Sequence, residues 1–161
     1  MDSEECTLVQ VRECQRKGVR MNISCFVEGQ PQPAGSKQAF PDRSGRRKHV
    51  VVDACKGSRW WKHVVAATVI LHHGRPLLDG PLELRLVFGM RRPKSHFRSN
   101  GELRDNAPRS PICRPDVLKL SRAVEDALTG VLWHDDSQIV IEHLEKMYDD
   151  PPGVVIEVKQ V

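Results

Sequence analysis

Residues 81–90, PLELRLVFGM, set Leu82, Leu84, Leu86 and Phe88 against Glu83, Arg85 and Val87. Successive side chains of an extended strand point to opposite faces, so this period of two dictates a strand with one buried face. Such a strand needs neighbours in a sheet and a second layer over its apolar side. A chain of 161 residues can bury one core of that kind but hardly two, and a single domain is expected.

Met21, Ile23, Cys25 and Val27 alternate with Asn22, Ser24 and Phe26 and predict a first strand. GQPQPAGSK then breaks it, because Gly and Pro supply turn geometry and remove ladder donors. The basic run RSGRRK (43–48) leads into a β-branched strand over 49–52. Residues 58–73 read as a helix, with Trp61, Val64, Val65, Thr68 and Leu71 at helical spacing. A second helix starts at Val117: Leu120, Val124, Ala127 and Leu128 form one stripe, and Gly130 sits where a C-terminal cap belongs. Strands over 138–147 and 154–158 follow, separated by DDPPG. The expected architecture is α+β, a mixed β-sheet packed with two main helices in one domain over 20–161. Residues 1–19 lack a clear period and read as an N-terminal extension.

Charge is concentrated rather than spread. Lys and Arg number 25 against 21 Asp and Glu, a net +4. The polar loop 91–115 alone holds Arg91, Arg92, Lys94, Arg98, Arg104, Arg109 and Arg114 against only Glu102 and Asp105. A loop this long in a compact domain is functional or disordered, and its charge favours contact with phosphates. His96 and Phe97 interleave with these cations and are candidates to stack on a base, although a single loop aromatic more often packs locally.

The remaining composition narrows the setting. Five cysteines form no CxxC pair and cannot all pair with one another, which fits reduced thiols in a cytoplasm. No apolar run approaches the roughly 18 to 20 residues that span a bilayer, so no membrane association is expected. Trp60, Trp61 and Trp133 read as core or dimer-interface residues. His72 and His73 are not a metal pair, since adjacent helical positions diverge by about 100°.

Phosphodiester hydrolysis needs an activated water and a counter-charge for a crowded phosphate, and carboxylates holding Mg²⁺ supply both. Asp116 opens the second helix, and Asp135 and Asp136 lie in the turn beyond its end. Each has an ordinary structural explanation: Asp116 as an N-cap, the Asp pair as turn residues. The aspartates could converge only if the chain folds back.

RPDVLKL followed by RAVEDALTGVLWHDDSQIV resembles the RusA family of Holliday-junction resolvases, common in phages and prophages. In that family a basic residue, often with Pro, precedes Asp-x-Asp-Asn at the start of a helix, which continues through a basic residue and DAL to a DD pair and Gln-Val. FVEGQPQPAGSK and MYDDPPGVVIEV resemble its first turn and its ending. The resemblance implies a homodimer, Mg²⁺ (with Mn²⁺ as a possible substitute) held by clustered aspartates, and paired nicks in four-way DNA junctions during recombination or repair. Carried over by position, Asp116, Asp135 and Asp136 are the metal-binding and catalytic carboxylates. Arg122 takes the place of the basic helix residue, where its guanidinium clamps a phosphate. Lys119 joins Arg122, His96 and the loop cations as a DNA contact.

The pattern departs at Leu118, which stands where the second aspartate belongs, with Lys119 in place of the asparagine. Leucine cannot ligate Mg²⁺. Glu125 and Asp126 are too far along the helix from Asp116 to share an ion directly, the latter by about 15 Å, and Asp126 is expected to pair with Arg122 at i,i+4. Three explanations are open: Asp135 and Asp136 hold the metal with Asp116 alone, a carboxylate from elsewhere joins them, or activity is weak. A catalytically weak or inactive binder of branched DNA is therefore the competing function.

Overall fold

A computed structural model describes residues 22–35, 37–41, 49–53, 57–73 and 76–161, with backbone alone for 37–41, 49–53, Trp60 and 71–73. The expected extension 1–19 and the basic run 43–48 lie outside the described residues. Four strands, β1 (Asn22–Glu28), β4 (Leu82–Met90), β5 (Ile139–Tyr148) and β6 (Gly153–Gln160), form one sheet in the order β1-β6-β4-β5. The β4–β5 pair is parallel and the other two pairs are antiparallel, so the sheet is mixed as expected. A separate antiparallel pair joins β2 (Lys37–Pro41) to β3 (His49–Asp53). The sequence pattern offers no counterpart for β2, a five-residue strand bounded by turn-forming residues and ending on Pro41.

β4 sits inside the sheet with the burial that its alternation predicts. Leu82, Leu84, Leu86 and Phe88 are fully buried. They meet Val154, Ile156 and Val158 from β6 and Cys25 and Val27 from β1. Burial pushes the Cys25 thiol up to about 11. On the opposite face Arg85 reaches Glu145 and Glu157 at 3.4 and 3.3 Å, and Glu83 faces His143 and Lys159. One side of the sheet therefore belongs to water and charge, the other to the core.

Two helices cover the apolar side. α1 (Ser58–His73) has the expected bounds and turns Trp61, Val65 and Val69 inward. α2 (Val117–Leu128) buries Leu120, Ala123, Val124, Ala127 and Leu128, and ends with Thr129 as C-cap before Gly130 at φ +76°. α1 packs on α2 and β1, and α2 lies over β4 and β5. Trp61 and Trp133 are fully buried core residues, and the Trp133 indole N–H donates to Thr129 Oγ1 at 3.3 Å. A salt bridge fastens the helices together: Lys62 Nζ on α1 lies 2.6 Å from Asp126 Oδ2 on α2. That contact corrects the expected local pair of Asp126 with Arg122; the partner comes from the neighbouring helix.

Candidate active site

Asp116 is the N-cap of α2. Its Oδ1 accepts the Lys119 N–H at 2.9 Å, and the Lys119 ammonium lies 3.5 Å from Oδ2. The backbone hydrogen bond from Lys119 is the chief reason that the Asp116 carboxyl titrates below the ordinary aspartate range. The carboxylate is exposed, and so is Leu118, at 68%. Two long-range ties fix this helix start. Lys146 Nζ, reaching over from β5, donates to the carbonyls of Cys113 and Pro115 at 2.8 Å each. Ala34 N–H, from the Gly-Pro loop after β1, donates to Lys119 O at 2.8 Å. Pro33, Arg114, Pro115, Asp116 and Lys119 line an open depression of about 290 Å³ there.

The Asp135–Asp136 pair sits beyond the other end of α2. Asp135 caps a 3-10 turn (Asp136–Gln138) by accepting the Ser137 N–H at 2.9 Å, and hydrogen bonds from Ser137 lower its carboxyl's pKa. Gln138 latches the turn in place: its Oε1 accepts from His134 N and Asp135 N, and its Nε2 donates to the Leu78 and Gly80 carbonyls. The chain turns back here, so that the charge of Asp136 reaches Glu125 on α2, nine residues along from Asp116. Among the described residues no three His, Cys, Asp or Glu side chains are disposed to hold a metal ion.

A second carboxylate group lies on the α2–β5 seam. Ser121, 2% exposed, has its hydroxyl in contact with the carboxylates of both Glu125 and Glu142. Burial is the main cause of a raised Glu125 pKa, and the charges of Glu142 and Asp136 push the same way. Spacing of Ser121 and Glu125 at i,i+4 is visible in the sequence; Glu142 arrives from another element and carries no local signal.

The cations of loop 91–115 divide into two sets. Arg92 donates to Pro108 O at 2.8 Å and covers the Tyr148 ring, its Cζ 4.1 Å from the centroid. Arg98 pairs with Asp105 at 2.6 Å, and Arg104 Nε donates to Phe97 O at 3.0 Å. His96 is half buried edge-on to Tyr148 at 5.6 Å. By contrast Arg91, Lys94, Arg109, Arg114 and, on α2, Arg122 are exposed and make no ion pair among the described residues. Internal bonds thus shape the loop with one set and leave the other to the solvent.

A mixed sheet with two helices on one face and an exposed aspartate at a helix start, with Arg114 and Lys119 beside it, define an α+β domain with an open depression at the start of α2. The family model described as Endodeoxyribonuclease RusA matches residues 28–159, and the chain belongs to that family. It is also 27% identical over 141 residues to the Bacillus subtilis (strain 168) protein named "Uncharacterized protein YqaN", covering 86% of this chain and 96% of that one. No helix among the described residues is long and apolar enough to cross a membrane.

Proposed function

We propose that this protein is a Mg²⁺-dependent, structure-selective endodeoxyribonuclease that nicks four-way DNA junctions in pairs as a homodimer. The observation that carries this reading is the family membership, joined to an exposed Asp116 whose neighbours Arg114, Lys119 and Arg122 can bind the phosphates on either side of a scissile bond. Arg122 and Lys119 are three residues apart on α2 and share a face, so a DNA strand can meet both guanidinium and ammonium. The guanidinium stays charged at every working pH, which suits a clamp and not a proton donor.

Asp116, Asp135 and Asp136 are exposed oxygen donors of the kind that Mg²⁺ prefers, and when bound the ion would supply charge to polarise the phosphate. Among the described residues, however, one chain does not gather the three into a closed cage. A two-fold partner that sets its α2 alongside would bring the separated acids together. β5 supports such a partner: it is an edge strand whose free side can pair with another strand, and Val140, Ile141 and Met147 along it are exposed at 59%, 41% and 46%.

Purified protein incubated with a synthetic four-way junction and Mg²⁺ should give paired nicks that vanish in Asp116→Asn. Tight junction binding without cleavage in Mg²⁺ or Mn²⁺ would overturn the nuclease reading. It would establish the second one, a non-catalytic binder of branched DNA, which the exposed Leu118 at the second aspartate position favours.

A further inference from the structure

Where β4 runs into the basic loop, a pocket of about 540 Å³ opens between the loop and the β5–β6 turn. That volume is in the range of sites that take small ligands, about 300–1,000 Å³. Its inner wall is apolar. Phe97 and Leu103 face each other across an isolated antiparallel bridge, and Leu103 remains 47% exposed although it lines a concavity. Tyr148 closes the back and is stiffened from two sides, by Arg92 over its ring and His96 against its edge. The rim carries both signs of charge. Arg91 stands on one side and Asp149 and Asp150 on the other, and among the described residues neither acid forms an ion pair. Asp149 Oδ1 accepts the Asp150 N–H at 2.9 Å and Asp149 N–H donates to Met90 O at 3.1 Å, so the turn bearing the acids is anchored to the sheet.

A ligand for this pocket needs a flat apolar body, N–H donors at one edge and an anion at the other end. An unpaired nucleotide has all three: a base face, an edge with exocyclic amine and ring N–H groups, and a phosphate. A base pair is too wide, and the two carboxylates would repel a passing phosphate backbone while accepting from a base. We propose that the pocket takes one unpaired base of branched DNA, its face on Phe97 and Leu103, its edge at Asp149 and Asp150, its phosphate at Arg91. This inference rests on the reading of the chain as a branched-DNA protein and adds how a branch point is told from continuous duplex: only the former offers an unstacked base at little cost.

The test compares binding of the wild-type protein to a linear duplex, an intact four-way junction, and the same junction with abasic residues at the crossover. Leu103→Ser and Asp150→Asn are measured alongside. The intact junction should bind about tenfold more tightly than the abasic one, as expected for removal of one base–aromatic stack, and both variants should shrink that ratio toward one. Linear-duplex binding no weaker than that of the wild type shows that the variants are folded. If the wild type prefers junction to duplex yet binds the intact and abasic junctions alike, the pocket assignment falls and the junction reading stands. If it shows no preference for the junction over duplex, the junction reading falls and takes the pocket with it. Should either variant keep the full tenfold ratio, its residue is not part of the base site.

Discussion

Ser121 has one hydroxyl proton and two carboxylates to serve. It can donate to only one of Glu125 and Glu142, so the second contact is favourable only when that carboxyl carries a proton of its own. Burial first, and then the charge of Glu142, raises the Glu125 pKa, so protonation of Glu125 relieves the crowding of the two carboxylates. A native pKa above the unfolded value means that the folded state binds the proton longer; the stability this gives is complete below about 4.3 and is lost as pH rises through the raised value. Glu125→Gln keeps a hydrogen-bonding amide without the charge. Urea midpoints should therefore be higher for Glu125→Gln than for wild type at pH 7, with the gap closing towards pH 4. A lower midpoint at pH 7 would show that the ionised pair stabilises the seam. Asp116 and Asp135 have the opposite sign: both are depressed by backbone or side-chain donors, and their contribution is present above about 3.9 and lost below it. The two windows lie on either side of the usual carboxylate range, and Glu125→Gln removes only the upper one.

At the scale of elements, periodicity foretold β4, α1 and α2 because each buries a single face whose residues repeat with the element's own geometry. The N-cap reading of Asp116 was visible for a similar reason, being a bond to a residue three positions away. Pairings between elements were not visible. Lys62 finds Asp126 across 64 positions of sequence and Glu142 finds Ser121 across 21, and the local rule that assigned Asp126 to Arg122 knows nothing of a neighbouring helix. The loop 91–115 was legible as basic, but not as two sets of cations, since the division depends on carbonyls and acids supplied by its own turns. Removing the exposed set tests its role: a quadruple alanine variant of Arg91, Lys94, Arg109 and Arg114 should weaken DNA binding and flatten the dependence of log K on log salt by about 3 to 4, near 0.9 for each phosphate no longer neutralised. An unchanged slope would move the DNA surface elsewhere. The start of β6 leaves no room for a side chain at Gly153. A Cβ at Gly153 would lie 2.4 Å from the Phe26 ring and 2.6 Å from Val27 O, so Gly153→Val should cost about 1–3 kcal/mol through overpacking between β6 and β1, measurable as a lower denaturation midpoint.

For the whole molecule, the lack of a three-acid cluster among the described residues makes assembly and activity one question. If the acids are completed between protomers, sedimentation should show a dimer, and a charge placed on the covered edge, as in Val140→Lys, should yield monomers that have lost nicking. Monomeric wild-type protein that still nicks in pairs would exclude a shared site. The sheet order β1-β6-β4-β5 has a different consequence, for biosynthesis. Because β6 lies between β1 and β4, the strands made earlier have no direct hydrogen-bonded link across the middle of the sheet until the last strand arrives. A nascent chain that has emerged only as far as the DDPPG turn can display its arginine loop, yet it lacks the strand that joins its two halves. Premature stops before Gly153 should therefore leave products in which β1 has no hydrogen-bonded neighbour in the sheet, and limited proteolysis should degrade a chain truncated at Asp150 faster than the full chain.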